Sequence, residues 1–370
     1  MNRKLAYVRL TLIDGIGPKT VKKLLEHFGD VEKIFNASPS EISIATRLRL
    51  DKAEELLSEK NLKNSEDLLH FCEDNSVEII LPDDESYPRL LREIASPPFV
   101  LFLRGNARVL SAPQIAIVGT RKPTPYGLRS AEEFAYQLSA LGVVVTSGLA
   151  LGIDTAAHKG ALKANRPTVA VLATGCEKIY PPENEKLAKE ILKTGGVLVS
   201  EFPPNTAVRK QNFPNRNRII SGLSLGVLVA EAPEDSGALI TASYAIEQNR
   251  QVFAIPARID EKNFVGAMRL IQQGAKLVLS VKDIIEELPP FESLAETRLG
   301  IPSTSDKTTP QTLDQEERII LDSLSAGSLD PSGIARKTGM LVQRVSAVLL
   351  KLQLKGAVVA LPGNRYELKP

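Results

Sequence analysis

The sequence has very few of the residues that build metal centres or disulfide frameworks. Its 370 residues include only two cysteines, Cys72 and Cys176, and three histidines. The cysteines lie far apart and form no Cys-x-x-Cys or Cys/His pattern, which argues against a zinc site and against a secreted disulfide scaffold. A reducing cytoplasm is the simplest setting for such a chain, so we expect a cytoplasmic protein without a bound metal.

Long hydrophobic runs are also missing. No stretch of about 18 apolar residues occurs, so we expect no membrane-spanning helix. Residues 1–9 carry charges and lack the apolar region of a signal peptide. With 43% hydrophobic and 24% charged residues, the composition is typical of a soluble globular protein, and the length suggests two or three domains.

Two phosphate-binding motifs are absent. The sequence contains no Gly-Lys dipeptide, which excludes a Walker A loop. No Gly-x-Gly-x-x-Gly follows a predicted strand, so we do not expect dinucleotide binding, and we predict no cofactor. His158 is the single histidine of residues 107–284. The favoured interpretation is a structural residue at the start of a helix, and the alternative is a general base beside Asp154.

Positive charge is concentrated in the middle of the chain. Residues 104–282 contain 22 lysines and arginines against 14 acidic residues, whereas residues 1–80 contain 12 against 14. The middle segment is therefore the best candidate for contact with a polyanion. An ordinary, mildly basic domain would have the same charge, so this feature alone does not decide between the two.

Apolar periodicity divides the chain into three folded regions. Residues 1–80 have helical spacing, with a glycine turn at Gly15 and Gly17, which predicts a small helical domain of the SAM or helix-hairpin-helix type. After a proline-rich connector at 81–106, short apolar runs alternate with amphipathic helices over 107–284. This alternation predicts an α/β domain with a Rossmann-like, doubly wound and mostly parallel sheet. The predicted strands are Ile115–Val118, Val143–Val145, Val169–Leu172, Val197–Val199, Val227–Val229 and Val252–Ile255.

The last part of the chain is predicted to be a separate domain. Residues 285–312 are rich in Pro, Ser, Thr and acidic residues, which indicates a linker. Residues 313–370 then follow the order of a winged helix, with an apolar stripe on the third helix. The stripe consists of Leu341, Val345, Val348, Leu349 and Leu352.

Both flanking domains have two open interpretations. Lys19, Lys22 and Lys23 lie beside the glycine turn, where backbone amides could hold a phosphate. The domain is slightly acidic, however, and a structural or partner role is favoured. In the winged helix, Gln343, Arg344 and Ser346 begin the helix that would read a duplex. Specific duplex recognition would need more cations there, so contact with a protein is the favoured interpretation.

Three segments rich in hydrogen-bonding groups are expected to meet at one edge of the sheet, because ligands bind at the carboxyl ends of parallel strands. Arginine binds phosphate, amides at a glycine turn bind anions, and an aromatic ring stacks on a base. Together they predict a groove for single-stranded nucleic acid; the alternative is plain turns and surface charges. The segments consist of Gly119, Thr120 and Arg121; Ser147 and Gly148; and Arg216, Asn217 and Arg218, with Phe213 nearby.

Several motifs occur in an order that resembles one protein family. The motifs are Ile117-Val118-Gly119-Thr120-Arg121, Ser147 to Asp154, Tyr180-Pro181, Ser200-Glu201-Phe202-Pro203, Phe213 to Ser221 and Ser236 to Thr241. In this order they are similar to those of the bacterial DNA-processing protein A family (DprA/Smf). The resemblance covers essentially the whole chain, including the helical front and the winged-helix tail.

The resemblance implies a non-enzymatic protein that binds and protects single-stranded DNA and helps to load the recombinase RecA during natural transformation. It implies a homodimer formed through the Rossmann-like domain. It also assigns the DNA-binding groove to the Gly119–Arg121 turn and to the segment around Arg216, Asn217 and Arg218. Lys210, in the same basic segment, completes the predicted DNA-binding residues.

Two other function classes are alternatives. A nucleoside-phosphate hydrolase on a related fold would carry a Pro-Gly-Gly-x-Gly-Thr loop with a catalytic glutamate. This chain lacks that loop and has Glu231 to Gly237 at the comparable strand end. A transcription regulator would depend on the winged helix alone, and it would prefer one duplex sequence over single strands.

Overall fold

The computed structural model describes residues 2–289, 315–325, 327–354, 357–361 and 365–368. The chain divides into two compact units, Met1–Leu288 and Pro289–Pro370. Residues 290–312 of the predicted linker lie outside the described residues. Within the described ranges, no helix has both the length and the apolar character needed to cross a membrane, and no cluster of potential ligands suits a metal ion.

Six helices form the front of the first unit. Pro18 stands at the first position of the second helix, where proline's fixed φ and missing N–H suit a helix start. Val21 and Leu24 face the core from that helix, and the buried Arg9 stacks over the Phe35 ring at 4.2 Å. The predicted helical domain is confirmed. The helices are α1 (Arg3–Thr11), α2 (Pro18–Phe28), α3 (Val31–Ile34), α4 (Pro39–Thr46), α5 (Leu50–Leu57) and α6 (Glu59–Asp74).

A nine-stranded sheet forms the centre of the same unit, residues 2–289. Each of the six apolar runs coincides with one of its strands to within two residues at either end, because a strand covered by helices on both faces is apolar throughout. Two more strands come from residues 78–105, outside the 107–284 range expected for this domain, and a short ninth strand at 276–277 was not predicted. The strands are β1 (Glu78–Ile80), β2 (Leu101–Gly105), β3 (Gln114–Gly119), β4 (Val144–Ser147), β5 (Thr168–Val171), β6 (Val197–Ser200), β7 (Gly226–Glu231), β8 (Gln251–Ala254) and β9 (Lys276–Leu277).

The strand order is β1-β2-β6-β5-β4-β3-β7-β8-β9. Strands β1 and β2 are antiparallel to their neighbours, and the other pairs are parallel. From β3 the chain builds one half of the sheet through β4, β5 and β6, and then returns to the other side of β3 with β7. The order therefore reverses between β3 and β7, as in doubly wound folds.

Helices connect the strands, and their amino ends lie at the carboxyl edge of the sheet. Thr124 caps the helix after β3, where its hydroxyl accepts from the Gly127 amide at 3.1 Å. The helices are α7 (Arg89–Arg92), α8 (Pro125–Ala140), α9 (Ile153–Lys163), α10 (Glu185–Lys193), α11 (Asn212–Leu223), α12 (Gly237–Glu247), α13 (Val265–Gln272) and α14 (Val281–Ile285).

The second unit has the predicted winged-helix order. Its elements are α15 (Gln315–Leu324), α16 (Pro331–Thr338), α17 (Val342–Leu354), β10 (Val358–Leu361) and β11 (Arg365–Leu368), and the two strands pair antiparallel. Val345, Val348, Leu349 and Leu352 are buried as expected. Leu341 is 75% exposed, so its place in the apolar stripe was wrong: α17 begins one residue later.

Candidate nucleic-acid interface

A groove of about 900 Å³ lies at the reversal of strand order, at the carboxyl ends of β3 and β7. We call it the switch-point groove. In open α/β sheets the loops that follow the two central strands diverge at such a point and leave room for a ligand. The exposed and half-buried side chains that line the groove include those of Thr120, Arg121, Lys122, Tyr180, Lys210, Phe213, Asn217 and Asp235.

The loop between β3 and α8 presents two cations to this groove. Gly119 lets the backbone pass close to β7, since a Cβ at this position would lie 2.7 Å from the Glu231 carbonyl oxygen. The Thr120 N–H donates to the same carbonyl at 2.8 Å. The base of the loop is thus fixed, and Arg121 and Lys122 are exposed at its tip.

The Glu231 carboxylate holds the other end of this loop. The Thr124 N–H donates to its two oxygens at 2.9 and 3.0 Å, and the Thr124 hydroxyl donates to Oε2 at 2.8 Å. Asn263 Nδ2 donates to Oε1 at 2.9 Å and to the Lys122 carbonyl at 3.2 Å. A Cβ at Gly127 would overlap the carboxylate. Because Glu231 is fully buried and its oxygens accept these bonds, it acts as a clamp on the loop.

Two aromatic rings face the cations across the groove. Phe213 and Tyr180 pack edge to face with centroids 5.7 Å apart, and the Arg121 guanidinium lies 5.3 Å from the Phe213 centroid. Lys210 is exposed just before α11, on the same wall. The sequence prediction included Arg121, Lys210 and Phe213 but missed Lys122 and Tyr180, although Tyr180 stands in one of the recognised motifs.

Ser147 and Gly148 do not offer donors to the groove, so this part of the sequence prediction was wrong. The Ser147 hydroxyl is buried and donates to the Ile117 carbonyl at 2.7 Å. The Gly148 N–H donates to Asp154 Oδ2 at 3.1 Å. Asp154 also accepts from the Ala150 N–H at 3.2 Å, so it closes the β4–α9 turn, whereas Gly152 is the N-cap of α9.

Arg216 lies inside the protein, where the sequence analysis expected an exposed edge. Its side chain is almost fully buried, and Nη1 donates to the carbonyl oxygens of Gly148, at 2.7 Å, and of Val171. Burial lowers the pKa of Arg216 to about 10, so the guanidinium stays charged at neutral pH, helped by the charge of Asp154. Burial raises the pKa of Asp154, and the Arg216 charge opposes this shift. Arg216 therefore supports the floor of the groove.

Arg218 points away from the switch-point groove, so its predicted place beside Arg121 was wrong. It forms a two-pronged ion pair with Glu201, with Nη2–Oε2 at 2.6 Å and Nη1–Oε1 at 2.9 Å. Both side chains are nearly buried, and they line a neighbouring cleft. Asn217, between the two arginines, does face the groove and donates to the Gly237 carbonyl at 3.3 Å.

His158 is buried in α9, away from solvent, which argues against a role as general base. The Thr168 hydroxyl donates to the Val145 carbonyl, so His158 Nδ1 must donate to Thr168 Oγ1, at 2.9 Å. Burial, with a smaller contribution from Arg216, lowers the pKa of His158 to about 3. The ring is therefore neutral in the folded state, and Nε2 has no hydrogen-bond partner among the described residues.

The buried histidine predicts a loss of stability in mild acid. In the unfolded chain the pKa of this histidine is about 6.5, so the imidazole binds a proton below that pH. In the folded state it binds the proton only at about pH 3. Between pH 6.5 and pH 5 the free energy of unfolding should fall by roughly 2 kcal/mol from this group. In urea unfolding at several pH values, His158→Asn should flatten this slope. His27→Asn, at an exposed position, is the matched control and should leave the slope unchanged.

Comparison with known families gives matches across most of the chain. Residues 78–289 match the family model of DNA recombination-mediator protein A, residues 304–364 match the DprA winged helix domain, and residues 7–59 match a SAM-like helix-hairpin-helix tandem. The Protein Smf of Synechocystis is 34% identical in an alignment of 383 positions that covers 96% of this chain and 96% of the relative. The DNA processing protein DprA of Bacillus subtilis is 47% identical over 55% of this chain and 69% of its own length.

Solved structures give the same relationship. DprA from Streptococcus pneumoniae superposes with a TM-score of 0.68 at 35% identity and covers 78% of this chain and 99% of its own. DNA processing protein A from Helicobacter pylori, described for its single-stranded DNA binding mode, has a TM-score of 0.52 at 30% identity over 57% of this chain and 94% of its own. The chain therefore belongs to the DNA recombination-mediator protein A family, whose members are mediators of recombination and not known enzymes.

Proposed function

We propose that the switch-point groove binds single-stranded DNA without base specificity. The observation that carries this proposal is the convergence of three exposed cations, Arg121, Lys122 and Lys210, with the rings of Phe213 and Tyr180. Cations neutralise successive phosphates, and aromatic rings stack on bases of any identity because every base has a π-face. The binding mode named for the Helicobacter pylori relative supports the same assignment.

The placement of the rings favours a single strand over a duplex. Phe213 is half-buried in a concave groove, where only an unpaired and unstacked base has a free face to offer. Main-chain and side-chain amides of the groove, such as Asn217, can hydrogen-bond to phosphates or base edges without selecting a sequence.

A binding titration with labelled oligonucleotides tests the proposal. Fluorescence anisotropy should show tighter binding to a single-stranded oligothymidylate than to a duplex of equal length. If three phosphates are neutralised, raising the salt from about 50 to about 200 mM should weaken binding by about tenfold to twentyfold. A preference for the duplex, or affinity that does not respond to salt, would overturn the proposal.

Protection of the strand, loading of RecA, a homodimer formed through the Rossmann-like domain and a cytoplasmic location are further proposals that rest on the family relationship. The loading step can be tested by following RecA filament assembly on single-stranded DNA with and without this protein. Faster assembly is expected, and an unchanged rate would contradict a mediator role for this chain.

The enzyme alternative is disfavoured by the surroundings of Glu231. Its carboxylate is buried and occupied by donors from Thr124 and Asn263, so it cannot reach a substrate in the groove as a base. Incubation with nucleoside monophosphates should give no turnover.

The winged helix is proposed to contact protein, because two cations on its third helix are already paired. Arg344 lies 2.9 Å from Glu316 and Lys351 lies 3.0 Å from Glu317, with both acidic residues on α15. Such pairs reduce the charge available for phosphates on that helix. Deletion of residues 313–370 should leave the affinity for duplex DNA unchanged. A lower affinity after this deletion would show that the winged helix binds duplex DNA.

The Glu231 clamp gives a prediction that separates loop position from fold stability. In Glu231→Gln, the new NH2 group faces donors on Thr124 and Asn263, so the Arg121 loop should lose its fixed position. We expect binding of single-stranded DNA to weaken by about fivefold and the free energy of unfolding to fall by about 1–3 kcal/mol. Glu247→Gln, at an exposed site on α12, is the control. Reduced stability with unchanged affinity would limit Glu231 to a structural role.

A further inference from the structure

A second cleft, of about 860 Å³, opens on the other side of the segment that carries Lys210 and Phe213. One wall is formed by residues 11–20, which are the end of α1, the turn that follows it and the start of α2, and the other wall lies within residues 201–218. We call it the hairpin-side cleft. Both walls belong to the first unit. This is the neighbouring cleft that Arg218 and Glu201 line.

The two cavities share one wall, formed by residues 206–218, and side chains of this wall point in opposite directions. This arrangement makes the cleft the next open surface for any extended chain that crosses the wall from the groove. Val208, Lys210, Phe213 and Asn217 face the switch-point groove, whereas Thr206, Arg209, Gln211 and Asn215 face the hairpin-side cleft.

The hairpin-side cleft has the same kinds of groups as the groove, in a weaker form. Phe202 and Phe99 are half-buried in its lining, and Lys19 and Arg209 are exposed cations. Asp14 lies 3.4 Å from Arg209, so one negative charge stands among them. The nearly buried Arg218–Glu201 ion pair has no net charge. The cleft therefore offers two cations against one carboxylate, beside aromatic surface and side-chain amides, which is the chemistry that a nucleic-acid strand recognises.

Gly17 leaves the main chain of the turn open to the cleft. It is the N-cap of α2, a position that glycine favours, and a Cβ built there would meet nothing within 4 Å. A strand in the cleft can therefore approach the backbone at this point.

We propose that the hairpin-side cleft takes the continuation of the DNA strand that is held in the switch-point groove, with Lys19 and Arg209 against its phosphates. This inference rests on the proposed function, because the strand reaches the cleft only by crossing residues 206–218 from the groove. A short oligonucleotide fills the groove alone, and a longer one also occupies the cleft.

The Asp14–Arg209 pair makes the proposal testable by the sign of its effects. Both side chains are more than half exposed, and such a surface pair contributes little to stability. If the pair is only a strut between the two walls, removing either partner weakens binding. If the cleft holds phosphates, removing Arg209 weakens binding whereas removing the Asp14 charge strengthens it.

The experiment uses the full chain and two labelled oligothymidylates, one of about 6 and one of about 25 nucleotides, in anisotropy titrations at low salt. For the long strand, Arg209→Glu and Lys19→Glu should each weaken binding by about fivefold, and Asp14→Asn should strengthen it by about twofold. Affinity for the short strand should change by less than about twofold. Lys193→Glu, at the carboxyl end of α10 and the opposite edge of the sheet, is the control with an equal charge change.

Each outcome decides the matter. Unchanged long-strand affinity in all three cleft variants, as expected if the cleft serves a protein partner, overturns the proposal. The proposal is also overturned if Asp14→Asn and Arg209→Glu both weaken binding, because the pair then acts only as a strut between the two walls. If a lysine or arginine variant fails to fold, the direction of the Asp14→Asn effect still decides. The proposed function fails separately, if substitution of Arg121 leaves the short strand bound as before.

Discussion

Reversing the charge of Arg121 should weaken the binding of single-stranded DNA by at least tenfold. The side chain stands exposed at the tip of the β3–α8 loop and faces the Phe213 ring across the groove. Arg121→Glu removes one phosphate contact, adds a repulsive charge and removes the cation from beside the stacking ring. Removing a phosphate contact should also make the salt dependence of binding shallower by about 0.7 in the logarithmic slope.

The structure supplies a close control for this measurement. Arg166 is also exposed but lies before β5, at the amino edge of the sheet, so Arg166→Glu makes the same change of charge far from the groove. Both variants should unfold at the same urea concentration as the parent protein, because neither side chain is buried. Equal affinities of the two variants for a single-stranded oligonucleotide would show that the groove is not the binding site.

The sequence analysis placed Arg218 in the same groove as Arg121, so charge reversal at either residue would be expected to weaken DNA binding. The structure changes that expectation for Arg218. Arg218→Glu would place two carboxylates together in a nearly buried site with Glu201, so the fold itself should suffer. A loss of DNA binding in that variant would therefore say nothing about the groove.

The difference between Arg216 and Arg218 shows what the sequence could and could not reveal. The order of apolar runs predicted the sheet, because a parallel strand covered on both faces leaves a plain signature. The segment around the arginines was expected at the edge of the sheet where strands end, but it is helix α11. Residues two apart on a helix point about 200° away from each other, so these arginines could never share one groove. Recognising the helix would have separated them.

The clamp on the Arg121 loop could not be predicted at all. Glu231 and Thr124 are 107 residues apart in sequence, and they meet only because β7 returns to the side of β3. No local pattern marks such a pair. The sequence did place Gly119, Thr120 and Arg121 correctly at the carboxyl end of β3, since a glycine directly after an apolar run is a local signal of a strand end.

Replacing Arg216 by methionine should destabilise the fold by about 3–5 kcal/mol, because removing one partner of a buried charged pair leaves the other uncompensated. Methionine keeps much of the volume but leaves the Gly148 and Val171 carbonyls without this donor, and it leaves the Asp154 carboxylate buried without its countercharge. The loss should be measured by urea unfolding at pH 7. Arg258→Met, at an exposed site, is the control and should change the free energy of unfolding by less than about 0.5 kcal/mol.

The pH dependence and a second substitution identify the cause of that loss. Without Arg216 the pKa of Asp154 rises further above its unfolded value of about 3.9. A group whose pKa is raised by folding stabilises the protein at a pH below its unfolded pKa, and this stabilisation is lost as the pH rises through its folded pKa. The loss of unfolding free energy caused by Arg216→Met should therefore be larger at pH 7 than at pH 5. Adding Asp154→Asn removes the unpaired charge, and the double variant should be more stable at pH 7 than Arg216→Met alone. If the losses of stability caused by Arg216→Met and by Asp154→Asn simply add in the double variant, Arg216 stabilises the turn through its carbonyl contacts and the charge of Asp154 plays no part.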